Sequence, residues 1–202
     1  MSLIERALLS FPQTETPCSL LVAFSGGLDS AVLLDALHRL REKMPHITAL
    51  SAAHVHHGLS PNADVWLAFC ERFCVVRGIA FTARRLTLSQ KPQTSLEETA
   101  RQARRAALHE MAGEMGADTI VLAHHQDDQA ETLLLQLLRG AGPQGLAAMA
   151  TYFPSPTLPP LRPLSKGGAA EGDGSLSWSP FPACNTWRPL LNLPRTALLS
   201  YA

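Results

Sequence analysis

Six residues, Ser25, Gly26, Gly27, Leu28, Asp29 and Ser30, separate an apolar run at 19–24 from a helical pattern that begins at Ser30. Adjacent glycines between buried elements cost backbone entropy, so the backbone must approach something closely there. A strand, a glycine turn and a helix N-terminus together present amide N–H groups and the positive end of a helix dipole, which suits a phosphate. Ser25 and Ser30 add hydroxyl donors at the two ends of the turn. A simple helix cap accounts for one small polar residue, not six. The spacing is neither G-x-x-x-x-G-K-[ST] nor G-x-G-x-x-G, which sets aside the kinase-type loop and weakens a dinucleotide reading. Asp29 inside such a cradle repels its anion unless a divalent cation bridges the two, and magnesium is the natural one.

A second group, His124, His125, Asp127, Asp128, Glu131 and Thr132, stands in "LAHHQDDQAETLLLQLLRG". Asp128 and Glu131 are three residues apart and share a helix face. Such a pair beside a phosphate can hold a metal or an ammonium group, although acids in a first helical turn also favour the dipole. His54, His56 and His57 close another apolar run. With His124, His125 and Asp127 they admit an alternative, a hydrolytic zinc site. The anion demanded by the glycine loop favours reading them as polar lining of a phosphate crevice.

The elements that must position these groups alternate strand and helix up to residue 150. Strands are predicted at 19–24, 47–55, 79–86 and 118–125, and helices over 30–43, from a cap at Ser60 with Pro61 to Gly78, from a Ser95/Glu98 capping box to Met115, and over 127–140. Continuous apolar strands with helical crossovers imply an α/β fold, a doubly wound parallel sheet of Rossmann type, with order 3-2-1-4-5. In that order strands 1 and 4 flank the switch point, and the two groups meet at their carboxyl ends. Residues 151–186 are dense in Pro, Gly and Ser and read as an insertion; a short strand and a helix start follow at 186–202. An amphipathic helix stopping at Ala202 suggests further residues in the natural protein.

At 202 residues the chain holds one domain, and 17 basic against 17 acidic residues give no whole-molecule pull on nucleic acid. Glu5 and Arg6 interrupt the N-terminal apolar run, and no stretch reaches the ~18 apolar residues of a membrane span, so a cytoplasmic protein without membrane contact is expected. Cys18, Cys70, Cys74 and Cys184 read as reduced packing thiols; the four-residue spacing of Cys70 and Cys74 matches no redox motif.

S-G-G-x-D-S after a strand resembles the pyrophosphate loop, or PP-loop, of the ATP pyrophosphatase superfamily, whose fold is adenine nucleotide α-hydrolase-like. "HVHHGLS", "SLEETARQARRAAL", "AHHQDDQAETLLLQLLRGAGPQGLAAM" and "RPLLNLPR" look, in order, like successive blocks of the tRNA(Ile)-lysidine synthase family, covering most of the chain outside 151–186. The resemblance implies that residues 1–202 form a PP-loop catalytic domain that normally continues into C-terminal tRNA-binding domains. It implies a ligase reaction in which ATP adenylates C2–O of the wobble cytidine of tRNA(Ile) with a CAU anticodon. Pyrophosphate then leaves, and the ε-amine of L-lysine displaces AMP to form lysidine. Site roles follow. Ser25, Gly26, Gly27, Leu28, Asp29 and Ser30 hold ATP phosphates, Asp29 holds Mg2+, His54 lies near adenine, Arg104 stabilises charge at the α-phosphate, and Asp128 with Glu131 receives lysine. Arg84 and Arg85 with Arg101, Arg104 and Arg105 are the basic clusters that could approach the tRNA backbone. Arg105 stands where the family often has Tyr, so stacking there is not carried over. A tRNA-thiolating enzyme, an amide-forming synthetase and a nucleotide-sensing module are the competing readings, and a homodimer is left open.

Overall fold

A computed structural model of the chain describes residues 1–11, 17–56, 58, 60–86, 96–140, 148–154 and 184–202. Strands β1 (Cys18–Ala23), β2 (Ile47–His56), β3 (Ala80–Arg85), β4 (Thr119–Val121), β5 (Tyr152–Phe153) and β6 (Asn185–Trp187) form one sheet in the order β3-β2-β1-β4-β6-β5. All pairings are parallel except β5 against β6. The expected 3-2-1-4 core is present, and the fifth parallel strand is β6. Tyr152 and Phe153 add an antiparallel edge opposite Trp187 and Thr186, so the sheet claims both ends of the stretch read as an insertion. Residues 155–183 within it lie outside the described residues.

Both faces of β1 are covered, which explains its unbroken apolar run. Leu20, Val22 and Phe24 enter one core with Ile4 and Leu8 of α1 (Leu3–Leu9), Leu33 and Leu37 of α2 (Leu28–Leu40), Cys70 and Cys74 of α3 (Ala63–Arg77) and Leu198 of α6 (Arg195–Leu199). Leu21 points the other way, to Ala107, Leu108, Met111 and Ala112 of α4 (Leu96–Glu114). Each fully buried leucine stabilises by roughly 1.5–3 kcal/mol, and this two-sided burial fixes the strand register on which the site depends.

Two helix starts differ from the sequence expectation by two residues each, for local reasons. The helix α2 begins at Leu28, two residues early, because Gly27 is its N-cap. The helix α3 begins at Ala63, not at Pro61: Ser60 accepts the Asn62 amide on Oγ and the Ala63 amide on its carbonyl, making a turn ahead of the helix. Its far end is as expected, at Gly78 with φ 62°. The capping box at Ser95 and Glu98 lies outside the residues whose side chains are described. A box does form at α1, where Ser2 and Glu5 bond each other's backbone amides. Among the described residues no helix is long and apolar enough to cross a membrane.

His54 on β2 is 4% exposed, and burial lowers its pKa from the ordinary 6.5, against a smaller opposing effect of its bond to the Phe24 carbonyl. The unfolded chain therefore takes up a proton at a higher pH than the folded one, and stability falls as pH drops below about 6.5. Denaturant midpoints at about pH 7.5 and 5.5 should show this, with a shallower decline in His54→Gln. Equal slopes in the two proteins would remove His54 as a source.

Candidate active site

The turn after β1 is shaped from beneath by two buried side chains. His54 Nδ1 donates to the Phe24 carbonyl at 2.8 Å, and Cys70 Sγ lies 3.7 Å from the same oxygen and 3.5 Å from the same nitrogen. Both hold the residue immediately before Ser25. Gly26 then turns with φ 86°, and a Cβ there would lie 3.1 Å from Cys70 Sγ. This glycine is required twice, by backbone sign and by the close approach of α3. Gly27 has φ −76°, and a Cβ on it would meet only Ser25 Oγ at 3.5 Å. Gly26→Ala should therefore destabilise the fold by about 1–2 kcal/mol, whereas Gly27→Ala should melt like the parent. Thermal unfolding of the pair checks this, and equal losses would contradict the assigned turn.

Ser25 Oγ lies 3.0 Å from Ser30 Oγ and accepts the Gly27 amide at 3.3 Å, while Ser30 Oγ also lies 3.0 Å from the Gly27 carbonyl. These bonds preset the loop. The first turn of α2 has no side-chain cap, in contrast to α1. Its amides and dipole are thus available to an anion. Asp29 stands in this turn with its side chain 29% exposed, and its Oδ1 is buried without a hydrogen-bond partner among the described residues. Arg195 Nε, from the start of α6, is 3.8 Å from that oxygen. A hard, underused carboxylate oxygen beside a phosphate-suited turn fits a magnesium ion.

The strand β4 pairs with β1 and delivers the second group to the same edge. His125 caps α5 (Gln126–Leu138): its Nδ1 accepts the Asp127 amide at 3.2 Å, and Asp128 Oδ2 accepts the His125 amide at 2.8 Å. The helix consequently starts one residue before the sequence expectation. His125 Nε2 lies 3.7 Å from Asp29 Oδ2 and 3.6 Å from Asp128 Oδ2, so one imidazole stands between the two carboxylates. Glu131 is exposed one turn along, and Thr132 Oγ1 donates back to the Asp128 carbonyl. Beside them, Arg188 Nε donates to His124 Nδ1 at 3.3 Å. Burial lowers the His124 pKa, and Arg188, His125 and Arg104 push it the same way, against Asp128.

A family model described as the PP-loop domain matches residues 1–202, the whole chain. The chain belongs to the PP-loop family. It is 44% identical over 180 residues to the tRNA(Ile)-lysidine synthase of Chromobacterium violaceum, covering 89% of this chain and 34% of that protein. Against the tRNA(Ile)-lysidine synthase of Pseudomonas syringae pv. tomato it is 42% identical over 197 residues, covering 98% and 37%. The chain therefore spans about a third of the length of these curated relatives. Among solved structures, the U34-tRNA thiolase NcsA from Methanococcus maripaludis superposes with a TM-score of 0.70 at 18% identity, over 98% of this chain and 62% of that one. At that identity the likeness concerns the fold.

Within the PP-loop domain, His54 is buried at the end of β2 and supports the loop through the Phe24 carbonyl. Arg84 is bound by Glu110 and Glu114, and Arg85 by Asp64, so the charge of each is compensated. His56 is turned into a cluster with Asp64 and Arg85. Among the described residues no three His, Cys, Asp or Glu side chains assemble as a metal site, and His57 lies outside them. The four cysteines are buried and free, with burial pushing Cys70 up to about 12 and Cys74 up to about 11. They pack, as expected. Sequence reasoning gave no individual role to three contributors: His125, Arg188 and Arg195. The two arginines sit in the "RPLLNLPR" block, whose match to the family was the available signal.

Proposed function

We propose that this PP-loop domain is the catalytic unit of an enzyme that joins L-lysine to C2 of the wobble cytidine of tRNA(Ile) with a CAU anticodon, using ATP and releasing pyrophosphate and AMP in the cytoplasm. The carrying observation is the approach of Asp29 and Asp128 to one imidazole, at 3.7 and 3.6 Å. It brings a carboxylate suited to a metal-bound phosphate beside a carboxylate suited to an ammonium ion. An adenylating ligase needs both functions at one crevice, and the similarity to tRNA(Ile)-lysidine synthases agrees with it.

In this reading the amides of the first turn of α2, with Ser25 and Ser30, bind and orient the phosphates. Asp29 would hold Mg2+, which supplies charge neutralisation at the phosphates when bound. Arg104 offers a fixed fork of donors to charge developing at the α-phosphate, and Arg188 keeps His124 in the orientation in which its Nδ1 accepts. Asp128 and Glu131 bind the lysine ε-ammonium, orient it, and provide carboxylates near the proton it must lose before nitrogen can attack. The thiolation alternative needs cysteines at the strand ends, whereas Cys70 and Cys74 face the core.

The test is pyrophosphate release by the full-length enzyme with ATP, magnesium, L-lysine and tRNA(Ile). Release that requires the tRNA, together with lysine incorporation into it, supports the reading. Turnover dependent on a sulfur donor, or tRNA-dependent pyrophosphate release with no incorporation of lysine, would replace it.

A further inference from the structure

His125 makes a contact that neither half-reaction explains by itself. Its Nδ1 accepts the Asp127 amide proton, so that nitrogen carries none and the ring proton sits on Nε2. The Nε2–H faces Asp29 Oδ2 and Asp128 Oδ2 at nearly equal distances, 3.7 and 3.6 Å, slightly longer than a hydrogen bond to either. The ring cannot turn to choose: its side chain is 8% exposed, and the cap at the start of α5 fixes the opposite edge. The Nε2–H thus stands between two carboxylates that belong to different strands, β1 through its loop and β4 through α5, within ionic range of both and hydrogen-bonded to neither.

We propose that His125 is a positioning residue that couples the nucleotide side of the site to the amine side. The inference rests on the reading of Asp29 and Asp128 given above. A cation drawn to Asp29 with the nucleotide satisfies that carboxylate, and the Nε2–H then donates wholly to Asp128 Oδ2. That oxygen already accepts the His125 amide at 2.8 Å, so Asp128 becomes held by two donors, with Oδ1 turned to the incoming ammonium. Without the cation the Nε2–H is hydrogen-bonded to neither carboxylate, and Asp128 Oδ2 is held by the His125 amide. Because His125 donates at Nε2 and commits Nδ1 to the helix, it is not the base that deprotonates lysine. Its effect is on order of assembly: the amine is oriented when the nucleotide is in place, so that an activated intermediate does not form opposite a disordered nucleophile.

The experiment measures L-lysine affinity by calorimetry on the full-length protein, with and without the magnesium complex of α,β-methylene ATP, which cannot be cleaved at the reacting bond. In the parent, the nucleotide analogue should tighten lysine binding by about 5-fold or more. His125→Asn supplies a capping oxygen but nothing at the position of Nε2, so its melting temperature should stay near the parent's while the nucleotide effect on lysine shrinks below about 2-fold. His125→Ser, another good cap without the distal donor, should give the same loss of coupling. A purely structural role predicts intact coupling in both variants. Coupling that survives in either well-folded variant overturns the proposal while leaving the amine site in place. A parent protein that binds no lysine with the nucleotide analogue present would instead overturn the underlying reading, and this inference with it.

Discussion

Asp29→Asn is expected to lower magnesium-dependent pyrophosphate release by about 100- to 1000-fold, the scale of removing one preorganised electrostatic group from a reacting centre. The substitution keeps shape and removes charge. Among the described residues Asp29 Oδ1 is buried and lacks a hydrogen-bond partner, and Arg195 Nε lies 3.8 Å from it. An oxygen left in that state is poorly used by the protein alone, and a divalent cation is the ligand its chemistry fits. The Asn side chain can still sit in the first turn of α2, so the fold should persist and melting should stay close to the parent's. The measurement is the rate of pyrophosphate release across a magnesium titration. An unchanged rate and magnesium requirement in a folded Asp29→Asn protein would take the cation away from this carboxylate.

Asp128→Asn is expected to weaken the use of lysine by about ten- to a hundred-fold, corresponding to roughly 1.5–3 kcal/mol for one charge-assisted contact. Its effect on ATP should be much smaller. The structure sharpens the choice of substitution, because Asp128 also holds the helix: its Oδ2 accepts the His125 amide and completes the cap of α5. Asn can place its carbonyl oxygen there, so the cap survives and the loss reports charge. Asp128→Ala would remove the cap as well and confuse helix fraying with ligand binding, at about 0.5–2 kcal/mol for the cap alone. Glu131 remains on the adjacent turn and sets the floor of the effect. Lysine titration at saturating ATP, run beside Asp29→Asn, separates the two carboxylates. If Asp128→Asn keeps the parent's lysine requirement, the amine binds elsewhere.

Much of this site could be read along the chain because its chemistry is local. The Ser25–Ser30 turn, with its serines five apart and Asp29 between them, carries its anion preference in backbone and first-turn geometry, and the hydroxyl bonds of its two serines stay within those six residues. The alternation of apolar runs and helical stripes likewise gives the parallel order β3-β2-β1-β4, because crossover handedness leaves few other solutions. Arg84 shows where this kind of reading ends. In sequence it is half of a basic pair, yet β3 packs beside α4 and sets Glu110 and Glu114 against it. Side-chain charge is legible from sequence; its neutralisation depends on which helix covers which strand.

The phosphate-suited turn, the acids of the second group and the class of sheet that carries them were legible along the chain, since each follows from spacing over a few residues or from a repeated period. Packing decided that Gly26 and not Gly27 is sterically required, because the close neighbour is Cys70 of α3. It also decided that His54 supports the loop from inside the core and that His125 stands between Asp29 and Asp128. Arg195 reaches Asp29 from near the end of the described chain. These facts share one physical reason: a side chain's partners are set by the register of β1 against β2 and β4, and that register is fixed by burial on both faces of the sheet, summed over residues that are distant in sequence.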